Sequence, residues 1–284
     1  MRAASIADAC EALRQGGEDA KLIAGGQSLI PMMAMRLTRP ARLIDINEIA
    51  ALKFIVLEDG LARIGACTPQ CVVARDEALA LRVPLLRKAL HWVGHTQTRN
   101  RGTLGGSLVH ADPAAELPLA AQVLGAQMGI RSASGARTSL ASEFFVGPLT
   151  TALEPHECLE EVHWPVWADR RTGSAFTEVS RRHGDFALIA ACAQVALDDD
   201  GVCTRAAFGL TGGGTTPLAF PALAARLVGT RLDDEITQSV ANDAANELAP
   251  GADLHASAKY RKHLAAVLAA RVLREAYAEA QGES

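Results

Sequence analysis

The chain has 284 residues, of which 49% are hydrophobic and 21% charged, and this composition excludes a disordered protein because it can build a buried core. It has 28 Lys and Arg residues and 32 Asp and Glu residues, and the resulting net charge of −4 argues against a nucleic-acid-binding protein. At roughly 150 residues per domain, the length predicts about two domains.

Nothing in the sequence indicates membrane insertion or export. Apolar runs such as 187–193 are much shorter than the ~18 residues of a membrane helix, and no apolar stretch follows Arg2. The six cysteines are Cys10, Cys67, Cys71, Cys158, Cys192 and Cys203. None of them forms a C-x-x-C pair, so we expect no zinc or iron–sulfur ligands and a cytoplasmic location with reduced thiols.

The first half of the chain predicts a mixture of helices and strands. A helix begins after Ser5 and ends at Gly16-Gly17. Strands are expected at 21–24, 41–46, 54–57 and 61–66, the last two joined by a hairpin turn at Asp59-Gly60. Further helices are expected at 84–93 and 113–124, the second with Pro113 in its first turn, and a polar, glycine-rich segment lies between them at 94–106.

The second half has a different pattern, in which strands come first and helices follow. Strands are expected at 176–180, 187–197 and 202–210, and helices near 218–227, 233–248 and 257–280. This order predicts an α+β fold whose C-terminal domain has a three-stranded antiparallel sheet plus helices. The change of pattern places the domain boundary near 165–175, which gives domains at 1–170 and 171–284.

Two glycine pairs are the strongest candidates for ligand binding. They lie in Ala24-Gly25-Gly26-Gln27-Ser28 and in Thr103-Leu104-Gly105-Gly106-Ser107. Paired glycines in a turn let backbone N–H groups approach an anion, and a neighbouring hydroxyl adds a donor. Neither segment matches the Rossmann or P-loop pattern, but two such turns facing each other would suit a pyrophosphate.

Polar residues follow the second glycine pair. Asp112 is expected to cap the helix at 113–124, and Glu116 lies one turn further on the same face. His110 is either a ligand or base, or a polar residue that lines a site. His91 and His95 have the i, i+4 spacing of a zinc motif but lack its glutamate and a third ligand, so no metal site is predicted.

Two long motifs give the sequence a specific resemblance. Residues 24–37 (AGGQSLIPMMAMRL) and 99–116 (RNRGTLGGSLVHADPAAE) resemble the two FAD-binding segments in the medium subunit of bacterial molybdenum hydroxylases, the family of carbon monoxide dehydrogenase and xanthine dehydrogenase flavoproteins. Two later segments, 181–188 (RRHGDFAL) and 253–261 (DLHASAKYR), agree with the second domain of that family. The resemblance covers nearly the whole chain.

The resemblance implies a two-lobed, PCMH-type FAD-binding domain and non-covalently bound FAD. The FAD-binding residues that it implies are Ile23, Ala24, Gly25, Gly26, Gln27, Ser28, Leu29, Thr103, Leu104, Gly105, Gly106, Ser107, Asp112, Glu116, Leu159 and Phe186. Phe186 would cover the flavin, Leu159 would contact the FAD through its backbone, and no side chain is assigned a catalytic role.

The function that the resemblance implies is electron transfer within a multi-subunit enzyme. A small subunit would carry [2Fe–2S] clusters, a large subunit would carry the molybdenum–pterin cofactor, and two heterotrimers would form a dimer. This chain would pass electrons to NAD, a quinone, oxygen or a carrier protein. The alternative is a stand-alone FAD- or nucleotide-binding module without turnover.

The sequence departs from the family at its beginning. Family members have an extra strand before the first helix, whereas only Met1-Arg2-Ala3-Ala4 precedes Ser5 here. We therefore expect this strand to be missing or truncated, with a sheet edge left exposed.

Overall fold

The computed structural model describes residues 1–58, 60–182 and 184–282, which pack around three hydrophobic cores. The helices are α1 (Ile6–Gly16), α2 (Leu29–Ala34), α3 (Gln70–Arg75), α4 (Glu77–Arg82), α5 (Pro84–Trp92), α6 (Thr96–Arg101), α7 (Leu104–His110), α8 (Glu116–Leu124), α9 (Ala141–Phe144), α10 (Pro221–Ala225), α11 (Asp234–Glu247) and α12 (Ala258–Gln281). The strands are β1 (Ala20–Ile23), β2 (Arg42–Asp45), β3 (Ile55–Glu58), β4 (Leu61–Gly65), β5 (Gln127–Ser132), β6 (Gly135–Leu140), β7 (Phe145–Gly147), β8 (Thr150–Thr151), β9 (Cys158–Pro165), β10 (Arg171–Val179), β11 (Ile189–Leu197), β12 (Cys203–Thr211) and β13 (Leu218–Ala219).

The first unit is a small lobe formed by α1 and the parallel pair β1–β2. Helix α1 begins where the sequence predicts, because the Ser5 hydroxyl accepts a hydrogen bond from the Asp8 N–H at 3.0 Å. Leu13 on the apolar face of this helix shares a core with Ile44 of β2 and with Leu52. This lobe therefore has a core of its own.

The expected open edge beside β2 is covered at Asp45. The Asp45 N–H donates to the Met1 carbonyl at 2.8 Å, and the Ala3 N–H donates to the Asp45 carbonyl at 2.9 Å. The first residues thus run parallel to β2 and satisfy its outer hydrogen-bonding groups. The prediction of an open edge at this place is wrong.

The second unit contains a five-stranded antiparallel sheet in the order β3-β4-β9-β5-β6. The predicted hairpin is confirmed, since Ile55 pairs with Ile64, although Asp59 of its turn lies outside the described residues. Strand β9 inserts between β4 and β5 and buries Trp164 completely. The sheet shares its core with α5, α7 and α8.

Helix α5 is confirmed, but the chain after it differs from the sequence-based prediction. The segment 94–106, which the sequence marks only as polar and glycine-rich, contains α6 and the first turn of α7. Helix α8 begins at Glu116, three residues later than expected, and the prediction that Asp112 caps it is wrong, because its N-cap residue is Ala115. The reason is that an Asp112 carboxylate oxygen accepts from the Ala114 N–H at 2.8 Å and holds a separate turn, while the Pro113 carbonyl accepts from the Gly212 N–H at 3.0 Å.

The C-terminal domain has an antiparallel sheet of four strands, β10-β11-β12-β13, where three were expected. The fourth strand, β13, replaces the start of the helix predicted at 218–227. Pro221 follows directly after Phe220 and disfavours helical backbone there, so α10 begins only at Pro221. The Phe220 N–H bonds instead to the Phe208 carbonyl at 3.1 Å.

This sheet is covered on both faces, and β11 is buried along its whole length. Ala190 and Cys192 face the core of the second unit, whereas Ala191, Ala193 and Val195 face the core formed with α11 and α12. The two domains therefore join through an apolar interface. Within the described residues, no helix combines the length and the apolar character needed to cross a membrane.

Candidate functional site

A cleft of about 1000 Å³ opens between the three units. The small lobe contributes the segment from β1 to α2, the second unit contributes parts of 102–116 and 149–159, and the C-terminal domain contributes 184–186. Ligand sites usually measure about 300–1000 Å³, so this cleft has room for a ligand as large as a dinucleotide.

The sequence-predicted residues meet at this cleft, with one exception. The lining includes Ile23, Ala24, Gly25, Gly26, Gln27, Ser28, Leu29, Thr103, Gly105, Gly106, Ser107, Asp112, Glu116, Leu159 and Phe186. Leu104 does not line the cleft, because its side chain points from α7 into the core and is completely buried. His110 also lines the cleft.

One wall of the cleft was missed by sequence reasoning. It is formed by Leu149, Thr150, Thr151, Leu153, Glu154, Pro155, Glu157 and Cys158. Leu149 has φ 54, in the left-handed region, and its N–H donates to the Ala111 carbonyl at 3.0 Å. No local motif marks this segment, because it reaches the cleft through its packing against α7.

The two glycine segments lie side by side because Gly25 has no side chain. A Cβ atom on Gly25 would collide with the Arg101 carbonyl and would lie 2.8 Å from the Gly102 Cα atom. The backbone of the first segment can therefore pack directly on the chain that leads into α7. This contact fixes the two segments at one end of the cleft.

The first glycine segment offers backbone donors. Gly26 has φ 71, a conformation that favours glycine. Among the described residues, the N–H groups of Gly26, Gln27 and Ser28 have no hydrogen-bond acceptor, and neither has the Ser28 hydroxyl. This loop therefore presents a set of free donors, which is the arrangement that binds an anion.

The second glycine segment has a different structure from the predicted turn. The N–H groups of Leu104 and Gly105 donate to the carbonyls of Thr68 and Ala66 at 3.0 and 2.8 Å, and the Gly106 N–H donates to the Thr103 hydroxyl at 3.1 Å. These donors are used within the protein, so the interpretation of this segment as a second open turn is wrong. The segment instead closes the wall beside the first loop.

The carboxyl groups at the cleft differ in their surroundings. Glu116 is buried in the first turn of α8, and burial raises its pKa to about 7, assisted by the negative charge of Asp112. Burial also lowers the pKa of His110, although Asp112 opposes this effect. His110 therefore favours its neutral form near neutral pH, whereas Glu116 populates its protonated and ionised forms about equally there.

Behind Glu116, the C-terminal domain adds another buried carboxyl group, Glu178 on β10. Neither of its carboxylate oxygens has a hydrogen-bond partner among the described residues. Burial raises the pKa of Glu178 to about 8, and the charge of Glu116 adds to this effect. Sequence reasoning missed this residue, because its burial depends on the packing of one domain against the other.

Phe186 lines the cleft from the C-terminal domain and is 66% exposed. A large aromatic side chain left this open at the mouth of a cleft is suited to contact a flat ligand.

The sequence predicts no metal site at His91 and His95, and the helix boundaries show where these two residues lie. Helix α5 ends at Trp92, and His95 precedes α6, so His91 and His95 do not lie one turn apart on one helix. Among residues 1–58, 60–182 and 184–282, no three His, Cys, Asp or Glu side chains are grouped to hold a metal ion.

Comparisons with known proteins agree with this geometry. Residues 1–167 match the family model described as the FAD binding domain in molybdopterin dehydrogenase, and residues 174–276 match that of the CO dehydrogenase flavoprotein C-terminal domain. The chain is 38% identical to the 6-hydroxypseudooxynicotine dehydrogenase complex subunit alpha of Paenarthrobacter nicotinovorans over 96% of this chain and 92% of that one. It is 36% identical to the carbon monoxide dehydrogenase medium chain of Afipia carboxidovorans over 99% and 96% of the two chains.

A solved structure shows the same fold along the whole chain. The structure of reconstituted CO dehydrogenase from Oligotropha carboxidovorans contains a chain that superposes with a TM-score of 0.95 at 35% identity, covering 98% of this chain and 96% of that one. The fold and the cleft therefore define an oxidoreductase flavoprotein. The chain belongs to the family of FAD-binding medium subunits of molybdenum hydroxylases, which includes those of CO dehydrogenase and xanthine dehydrogenase.

Proposed function

We propose that this chain binds FAD non-covalently in the cleft and transfers electrons from a [2Fe–2S] subunit to an external acceptor. The observation that carries the proposal is the row of free donors at Gly26, Gln27 and Ser28, at the end of a dinucleotide-sized cleft. A pyrophosphate supplies the acceptors that these donors lack. Bound FAD would supply the redox chemistry, because its ring system can accept electrons singly and release them in pairs.

The remaining cleft residues are assigned to the other parts of FAD. Asp112 and Glu116 lie along the wall and would accept or share hydrogen bonds with polar groups of the cofactor. Phe186 would cover the flavin ring, and Leu159 would contact FAD through its backbone. The task of the protein is to hold and orient the cofactor, and no side chain is proposed as an acid or base.

The cysteines at the cleft support non-covalent binding. Cys67 and Cys158 line the cleft, and burial raises the pKa of both thiols. A protonated thiol is a poor nucleophile, so neither side chain is suited to form a bond with the flavin. All six cysteines are free, which supports the proposed cytoplasmic location.

The proposed assembly contains a small [2Fe–2S] subunit and a large subunit with the molybdenum–pterin cofactor, as a dimer of heterotrimers without nucleic acid. The names of the relatives, which include medium chains and complex subunits, support a multi-subunit enzyme. The chain also exposes apolar side chains on and after α2, among them Ile30, Met35 and Leu37, which are 47%, 63% and 69% exposed. Such clustered apolar exposure beside a cleft is typical of a protein–protein interface.

We also keep the proposed domain boundary between residues 170 and 171. This boundary places Arg171 at the start of β10 as the first residue of the C-terminal domain. The substrate of the complex would be recognised on the large subunit.

Titration of the purified chain with FAD tests the proposal. We expect saturation at one FAD per chain, with release of intact FAD on denaturation. The matched control is FMN, which lacks the adenylate half and the pyrophosphate, and it should bind more weakly. Equal affinity for FMN and FAD, or no binding of either, would contradict the assignment of the glycine loop.

A further inference from the structure

Arg261 occupies an unusual place in the first turns of α12. A cation near a helix N-terminus opposes the helix dipole, so its presence there needs a specific compensation. The Asp253 carboxylate provides it, accepting from Arg261 Nη2 at 2.7 Å. The other oxygen of Asp253 accepts from the N–H groups of His255 and Ala256 at 2.8 and 2.9 Å. The segment before α12 therefore holds the Asp253 carboxylate in place beside the guanidinium.

The guanidinium, in turn, connects two loops at one end of the C-terminal sheet. Arg261 Nη1 donates to the Leu188 carbonyl at 2.7 Å and to the Gly212 carbonyl at 3.3 Å. Leu188 precedes β11 and Gly212 follows β12, so a single buried side chain holds the ends of two strands together. Only Arg carries a fork of donors that can make these bonds while it pairs with a carboxylate.

Both loops continue to the cleft. Leu188 lies two residues after Phe186, which lines the cleft from the C-terminal domain. On the other side, the Gly212 N–H and the Thr211 hydroxyl both donate to the carbonyl of Pro113, at 3.0 and 2.5 Å. Pro113 directly follows Asp112, another cleft residue. Arg261 is thus linked through short contacts to two walls of the cleft that belong to different domains.

We propose that Arg261, held by Asp253, is a positioning residue. It fixes the loop that contains Phe186 and Leu188, and the turn that contains Asp112 and Pro113, in the positions that contact bound FAD. This inference rests on the proposed function, and it assigns a role to the DLHASAKYR segment, which does not itself reach the cleft. Arg261 is not among the residues that line the cleft, so it acts through the two loops.

Three variants of the full-length chain test this role. Arg261→Met removes all the hydrogen bonds of the guanidinium but keeps an apolar stem of similar length. Arg261→Lys retains a positive charge beside Asp253 but cannot bond to both carbonyls at once. Arg274→Met is the matched control on the same helix, because Arg274 pairs with Asp234 at the surface, where an ion pair contributes little.

The measurements are the dissociation constant of FAD, the visible circular dichroism of the bound flavin and the thermal unfolding midpoint of each variant. We expect Arg261→Met to weaken FAD binding by about tenfold or more, since bonds from a charged donor are lost, and to change the flavin dichroism. Arg261→Lys should restore part of the affinity and of the dichroism, and Arg274→Met should leave both unchanged. Phe186→Ala should reduce the effect of Arg261→Met on the dichroism, because the positioned side chain is then absent.

A folded Arg261→Met variant with wild-type affinity and dichroism would overturn the proposal. If Arg261→Met does not fold, the test rests on Arg261→Lys. Wild-type FAD affinity and flavin dichroism in Arg261→Lys would then overturn the proposal. A wild-type chain that binds no FAD would reject the proposed function itself, whereas FAD binding that is indifferent to Arg261 rejects only the positioning role.

Discussion

Gly25 and Gly102 pack so closely that a Cβ atom added to Gly25 would lie 2.8 Å from the Gly102 Cα atom. Through this contact, a loop of the small lobe and the chain entering α7 meet at one end of the cleft. The position of the free donors at Gly26, Gln27 and Ser28 depends on it, because these residues follow Gly25 directly.

Because of this contact, we expect a single methyl group added at Gly25 to reduce both stability and FAD binding. Gly25→Ala forces the two backbones apart, which we expect to lower the free energy of unfolding by about 1–3 kcal/mol and to weaken FAD binding further. Gly251→Ala is the control, because a Cβ atom there meets no neighbour within 4 Å. Chemical denaturation and FAD titration of both variants check the prediction, and equal behaviour of the two would refute it.

Asp112 can be tested for a contact with FAD in addition to its structural role in the turn at Ala114. Its carboxylate accepts from the Ala114 N–H, and an asparagine side chain can accept the same bond. Asp112→Asn should therefore keep the stability of the protein but weaken FAD binding by about threefold to tenfold, since a charge-assisted contact is lost. Asp112→Ala should lose both stability and affinity. Unchanged FAD affinity in Asp112→Asn would limit this residue to a structural role.

The buried carboxyl groups predict how stability depends on pH. The pKa values of Glu116 and Glu178 are raised to about 7 and about 8 by burial, so the folded FAD-free protein holds these protons more tightly than the unfolded chain does. Their contribution to stability is complete below the unfolded pKa and is lost as the pH rises through about 7 to 8. The free energy of unfolding should therefore fall between about pH 4, the pKa of an unfolded glutamate, and about pH 8.

The variant Glu178→Gln isolates the contribution of Glu178 to this pH dependence of stability. The variant keeps the size of the side chain but has no proton to lose, so its stability relative to wild type should rise by more than about 1 kcal/mol between about pH 5 and about pH 9. Glu247→Gln, at the exposed end of α11, controls for the removal of one negative charge. Urea denaturation across this range is the measurement, and parallel pH profiles for wild type and Glu178→Gln would contradict the prediction.

Phe186 is expected to act on the cofactor and not on the fold. Because its side chain is 66% exposed, Phe186→Ala should change the free energy of unfolding by no more than about 0.5 kcal/mol. The fluorescence of bound flavin should nevertheless rise, since an aromatic ring in contact with it is removed. Val228→Ala, at a residue that is 47% exposed and lies away from the cleft, should alter neither quantity. Flavin fluorescence unaffected by Phe186→Ala would argue against contact.

Features that depend on neighbours in sequence could be predicted from the sequence. The cap at Ser5 uses Asp8, three residues away, and strands β11 and β12 are joined by a short turn whose Gly201 has φ 78. The pattern of apolar residues in α5 likewise predicts its buried face. Such local signals were also sufficient to find the glycine loop at Gly25.

Features that depend on distant parts of the chain could not be predicted in this way. Strand β9 is placed between β4 and β5, and the wall at 149–158 reaches the cleft through its packing against α7. The donors of Leu104 and Gly105 are satisfied by Thr68 and Ala66, which no motif indicates. The late start of α8 similarly follows from a contact between Pro113 and Gly212 of the C-terminal domain.

The most direct test of the central claim follows the flavin in the purified chain, alone and then with the partner subunits of its native complex. Alone, the chain should be yellow, contain neither iron nor molybdenum, and oxidise no substrate of the complex. With the [2Fe–2S] and molybdenum subunits added, the same substrate should bleach the flavin absorption. Oxidation of that substrate by the metal-free chain alone, or no bleaching in the reassembled complex, would contradict the assignment as an electron-transfer subunit.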